Sequence, residues 1–215
     1  MVADGENATG VKLFQTGQHE AAMHHFQKAL AQDPTSADAY YNLGATVHQA
    51  GKQGNDSEQF ERAEALYNQC LDHHSDHSEC YRGLAVLLVE TGRSDRAFAL
   101  LKNWVIRRPE SSNARIELAR LYDEFGDKDS ARRQLEYALL ITPRNERLLT
   151  AMGHIRESSG DYDQAIMNYQ RALAINPHQS QLIQHVASLR GRINASSPLG
   201  QGGTRMVQEP WSPRY

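Results

Sequence analysis

Glycine recurs in this chain at a spacing that few folds can accommodate. Gly17 and Gly51 are 34 residues apart, and Gly92, Gly126 and Gly160 follow at 34, with one irregular gap of 41 between Gly51 and Gly92. Alanine keeps the same interval: Ala63, Ala97, Ala131 and Ala165 step by 34, and the gap of 41 falls between Ala22 and Ala63. One insertion of seven residues therefore lies between Gly51 and Ala63. A longer echo agrees, since "HFQKALAQDP" (His25 to Pro34) returns as "NYQRALAINP" (Asn168 to Pro177) after 143 residues, four intervals of 34 and the insertion. A period of this size means stacked copies of one supersecondary unit, none of which can bury its apolar face alone. The chain holds five copies.

Each copy reads as two helices. A first stretch of about a dozen helix-compatible residues ends at the recurring glycine, which takes the left-handed conformation that closes a helix. The second stretch spaces its apolar residues by four and three: Ala22, Phe26, Ala29; Ala63, Tyr67, Cys70; Ala131, Leu135, Ala138; Ala165, Tyr169, Ala172. That spacing puts each trio on one helical face. Pro34, Pro109, Pro143 and Pro177 then end four of the copies, with Ser75 at the equivalent place in the second. Proline breaks the helix there and fixes the turn into the next copy.

These residues resemble the tetratricopeptide repeat (TPR) family, whose pattern runs aromatic, Leu-Gly, Tyr, Ala, Phe, Ala and a closing Pro over 34 residues. The resemblance covers residues 3–177 and is closest at "YNLG" (Tyr41 to Gly44) and at "AMG" followed by "GDYDQAIMNYQRALAINP". The small site after the Leu holds Gly10, Gly44, Ala85, Ala119 and Gly153. Arg156 and Trp104 depart from the family's Tyr and Ala, and Trp104 is expected to seek space between the third and fourth copies. The resemblance implies an all-α fold, a right-handed superhelical α-solenoid of five TPR helix pairs plus a C-terminal capping helix. The pairs are placed at about 3–36, 37–77 (with the insertion), 78–111, 112–145 and 146–179, and the cap at about 180–194. The cap aligns Leu182, Ile183, Val186, Leu189 and Ile193 on one side. Residues 195–215 are rich in Pro, Gly and Ser and are predicted to lack regular structure. Their Trp211 and Tyr215 are candidates for docking onto the array or onto a second copy.

In this family the first helices of all copies line a concave groove that holds a partner's peptide or helix, and the resemblance implies the same here. The groove sites of the first three copies are Asn7, Val11, Phe14, Tyr41, Asn42, His48, Arg82, Val86 and Val89, a largely apolar and aromatic wall. Those of the last two are Ile116, Arg120, Asp123, Arg147, His154 and Glu157, of mixed charge. A partner with an apolar or aromatic anchor followed by charged residues is expected; ordinary packing between repeats is the plainer account of the apolar wall. The sites with which some family members grip a terminal carboxylate hold Asn7, Val11, Asn42, Glu79 and Gly83, of which only Asn42 fits, so that mode is not expected.

Two oddities stand outside the repeat. "DHHSDHSEC" (Asp72 to Cys80) offers His73, His77 and Cys80 as metal ligands, yet the repeat register puts it at a turn, where a solvated connector explains it as well. The insertion, within "GKQGNDSEQFERAEAL", is expected to lengthen the second helix of its pair backward behind a polar loop. Either the insertion or the tail could mediate self-association into a structural array. A formal charge of −3 without a basic block argues against nucleic acid. The longest apolar run, Leu84 to Val89, falls far short of the roughly 20 residues of a membrane span. The opening "MVADGENATG" lacks the marks of a secretory signal, and two cysteines are too few for a disulfide framework. A reducing, cytoplasmic compartment is the default expectation, or a periplasmic one had a signal been removed. With no phosphate loop or nucleophile motif, the sequence reads as a non-enzymatic protein-binding scaffold without a cofactor; a metal-binding protein using the His-rich turn is the alternative.

Overall fold

The computed structural model describes residues 2–196, which form eleven α-helices and no strand. By contact these residues fall into two compact units, divided between Thr142 and Pro143. The tail residues Trp211 and Tyr215 lie outside the described residues. Unit 1 contains four helix pairs: α1 (Val2–Gln15) with α2 (His19–Gln32), α3 (Ala37–Gly54) with α4 (Ser57–His73), α5 (Ser78–Glu90) with α6 (Ser94–Arg107), and α7 (Ser112–Glu124) with α8 (Lys128–Ile141). Unit 2 contains α9 (Glu146–Ser158), α10 (Tyr162–Ile175) and α11 (Ser180–Ser196).

One local device closes the first helix of every pair. A residue at positive φ lets the next backbone N–H reach five residues back, satisfying a carbonyl the helix would otherwise leave open. Gln18 N–H bonds Leu13 O at 2.9 Å, and Arg93, Asp127 and Asp161 repeat the bond to Leu88, Tyr122 and Arg156. Gly17, Gly92, Gly126 and Gly160 supply the positive φ. Gly51 does not, because here the helix runs on to Gly54 and Asn55 takes the left-handed position at φ 48°. The insertion is thus shared between both helices of the second pair rather than lengthening only the later one. Relative to the first pair α3 ends later and α4 starts three residues earlier, at Ser57. Seven residues make about two turns, so one turn on each helix preserves both apolar faces. Gly51 is buried in this longer hairpin, where a Cβ would press on Phe60.

At the other helix starts, Ser36, Asp56, Ser111, Asp127, Asn145 and Asp161 accept backbone N–H groups with their side chains, and His77 does so with its ring. Each such cap is worth about 1 kcal/mol. Inside unit 1, α1 touches α3, α3 touches α5 and α5 touches α7, whereas among the described residues no even-numbered helix touches the next even one. The odd helices therefore form an inner layer and the even ones an outer layer. The core between them collects Phe26, Leu43, Tyr67, Leu84, Leu101 and Leu118. Glycine makes the layers fit: a Cβ on Gly10 would overlap Phe26, and one on Gly83 would overlap Tyr67.

Three details go beyond what the repeat pattern gives. Trp104 stacks flat on Tyr81 of its own pair, with ring centroids 3.9 Å apart, and its Nε1 donates to Asp76. Tyr81 leaves a flat slot beside the connector, and a small residue there would leave it empty. Cys70 and Cys80 form a disulfide, although the sequence offers only this pair. Both sit at wholly buried positions where the last turn of α4 meets the first turn of α5. In unit 2, α11 packs on α10 through Leu182, Val186 and Leu189, while Ile183 is 48% exposed. Steps of four and three keep 182, 186 and 189 on one stripe, and residue 183 is rotated about 100° away from its neighbour.

Candidate functional site

The inner layer of unit 1 carries the groove residues expected of its first four pairs. Asn42 donates from Nδ2 to Asn7 Oδ1 at 2.9 Å, tying α3 to α1. Val11, Phe14, Tyr41 and Val89 are half-buried and lean on the core, so each divides its surface between packing and solvent. Tyr41 lies between Tyr67 and His77, and burial pushes its phenol above the ordinary value. Val86 and Ile116 are also half-buried. Beyond this apolar stretch the surface becomes charged. Arg120 Nε donates to Glu117 Oε2 at 3.1 Å and its Nη1 to Glu124. Arg82, with 60% of its side chain exposed, reaches to only 4.0 Å from the same Glu117. Asp123 is half-buried beside this cluster's helix turn.

His48 is buried, not presented to a ligand. Its Nε2 lies 2.8 Å from Glu90 Oε2, and Lys52 donates to the other oxygen of Glu90 at 2.8 Å. Desolvation lowers the His48 pKa; Glu90 opposes this, but burial is the larger effect. The unfolded chain therefore takes up a proton near pH 6.5 that the folded ring resists. The stability this contributes is complete above the unfolded value and is lost as pH falls toward the folded one. Denaturant midpoints measured between pH 7 and pH 5 should decline, and His48→Gln should make that decline shallower. Equal slopes for the two proteins would remove His48 as the source.

The His-rich connector parts His73 from the other two candidates but keeps His77 and Cys80 together with Cys70, their ligand atoms within 4.8 Å of one another. His73 ends α4 and stacks on Tyr40, while His77 caps α5 by accepting Cys80 N–H at Nδ1 and holds Asp38 at Nε2. Cys80 is joined to Cys70, so the sulfur nearest His77 is committed to the disulfide. The position of Cys70 among the small residues of the second helices was the available sign that it meets the next pair.

In unit 2, Arg147 is exposed at the start of α9, while His154 and Glu157 join a network absent from the sequence reading. Tyr169 donates to Glu157 at 2.9 Å and lies 2.9 Å from His154 Nδ1; His185 and Arg192 of α11 bond Glu157 at 2.6 and 3.0 Å. Burial raises the Glu157 pKa, but the bonds from His185 and Tyr169 outweigh it and hold the carboxyl below its ordinary value. Burial and the Glu157 charge push the Tyr169 phenol upward.

Sequence models described as TPR repeat and tetratricopeptide repeat match residues 10–51, residues 55–105 and 88–155, and residues 146–179. The chain is a tetratricopeptide repeat protein. Among solved structures, TTC0263, a thermophilic TPR protein of Thermus thermophilus, is 22% identical, with a TM-score of 0.66 over 87% of this chain and 98% of that one. A TPR protein from Parabacteroides merdae is 17% identical, with a TM-score of 0.54 over 89% and 73%. YrrB, described as a TPR protein with an unusual peptide-binding site, is 19% identical, with a TM-score of 0.47 over 85% and 90%. No curated protein sequence matches. The first two of these likenesses agree with the family match in giving the chain the TPR fold, and TPR proteins bind protein or peptide partners. No helix among the described residues is long and apolar enough to cross a membrane.

Proposed function

We propose that this TPR protein is a non-enzymatic scaffold that holds a segment of a partner protein on the inner layer of unit 1. The observation that carries the reading is the change of character along that layer. Half-buried Val11, Phe14, Tyr41, Val86 and Val89 line α1, α3 and α5, and charge enters with exposed Arg82 near the start of α5 and with Arg120 on α7, which meet at the buried carboxylate of Glu117. An apolar or aromatic side chain gains by covering the first stretch, at about 25 cal/mol per Å² removed from water. A carboxylate suits the exposed guanidinium of Arg82, which its distant contact with Glu117 leaves with donors to offer. Fixed helices present both stretches, so little ordering is needed on the scaffold side.

The reading is tested by placing a photo-crosslinking residue at Arg82 on the inner layer and, separately, at Leu140, which is 82% exposed on α8 of the outer layer. A partner captured from Arg82 and not from Leu140 is the expected result. Capture from Leu140 alone would move the binding surface to the outer layer.

A further inference from the structure

We propose that His154, Glu157 and His185 form a site in unit 2 for one divalent transition-metal ion of the zinc type. It is separate from the partner-binding face of unit 1 and does not depend on it. His154 and Glu157 are three residues apart on α9 and so project from one face, while His185 comes from α11. One ligand atom from each of the three lies within 4.8 Å of the other two. His185 Nε2 and Glu157 Oε2 are 2.6 Å apart across a shared proton. Exchanging that proton for a tetrahedral ion with bonds of about 2.0–2.1 Å needs a separation of about 3.3 Å, a shift within reach of side-chain rotation.

The surroundings suit an ion. Tyr169 joins His154 to Glu157, and Arg192 holds the carboxylate oxygen that the site does not use. Such outer partners fix the orientation of ligands. Arg192 is also the opposing cation, but its side chain is 62% exposed, where water screens its charge. A cleft of about 560 Å³, lined by His154, His178, Gln179 and His185 among others, opens beside the cluster and gives an ion its entry and its water ligands. Gln179 Nε2 is buried there without an acceptor, a donor suited to a water or anion bound to the ion. Two imidazoles and a carboxylate favour zinc, cobalt, nickel or copper over magnesium or calcium, and three protein ligands leave a position open.

The test is equilibrium dialysis of the full-length, oxidised protein against zinc, with elemental analysis, and a parallel cobalt titration followed by absorption. Keeping Cys70 and Cys80 bonded removes the thiols from competition. One equivalent of zinc is expected, with binding weakened at least about tenfold by His185→Ala and by His154→Gln. The His73→Ala/His74→Ala double variant should bind as the parent does. His154 is exposed, so His154→Gln keeps the test valid even where His185→Ala fails to fold. Less than one equivalent bound at micromolar zinc, or binding indifferent to His154→Gln, would overturn the proposal, and loss with the His73/His74 variant would assign the metal to the connector instead.

Discussion

Trp104→Ala is expected to be the most destabilising single substitution considered for this protein, at about 3–5 kcal/mol in a denaturant titration. The indole is 1% exposed and lies flat on Tyr81, and its N–H is held by Asp76. The same corner carries Arg107 on the Tyr81 hydroxyl and Arg108 on Asp76, so the α6 exit, the preceding connector and α5 all meet there. Alanine would leave a cavity the size of an indole between elements already fixed by those bonds, and the walls could close on it only in part. Trp104→Phe keeps the stack and gives up the bond to Asp76, so a loss smaller than that of alanine is expected. Leu140→Ala, on an 82% exposed side chain, should change stability by less than about 0.5 kcal/mol. A Trp104→Ala loss as small as that of Leu140→Ala would show that the indole is not packed as described.

Gly153→Ala should follow as a second large effect, with a sign opposite to helix propensity. Alanine in a helix interior is favoured over glycine by about 1 kcal/mol. At Gly153, however, a Cβ would overlap the ring of Tyr169, which is fully buried and whose hydroxyl is held by Glu157 and His154. The ring has nowhere to move, and overpacking of this kind costs about 1–3 kcal/mol. The net expectation is a loss of up to about 2 kcal/mol, with weakening of the hydrogen bonds that Tyr169 makes. Gly191→Ala in α11, where a Cβ would meet nothing within 4 Å, should instead stabilise. Thermal or denaturant unfolding of the two variants compares them directly, and a gain for both would contradict the placement of Tyr169.

The sequence carried the repeat because its residues have local duties that recur: a left-handed terminator, a face spaced by four and three, and a proline at the exit. What escaped it depended on a second partner. Gly51 kept its place in the period but lost its role once one extra turn of α3 moved the terminator to Asn55. Whether seven residues enter one helix or two is decided by packing at the hairpin, where Phe60 meets Gly51. Trp104 was visible as an oversized residue at a small site, but its slot is made by Tyr81 and Asp76, which no spacing rule connects to it. In the candidate groove the helix face was legible, while exposure was not. His48 has the right register yet is buried against Glu90, and Glu157 is enclosed by three partners from two other helices.

Whether the inner layer of unit 1 holds the partner can be decided by affinity capture from the source cell with the parent protein and with the Tyr41→Ala/Arg82→Ala double variant. Retained proteins are quantified by mass spectrometry, and the folded state of both baits is checked by circular dichroism. A partner retained by the parent should be lost, or bound at least about tenfold more weakly, on the double variant, since an aromatic anchor and a charged contact are removed together. Equal retention by both baits would contradict a groove on the inner layer.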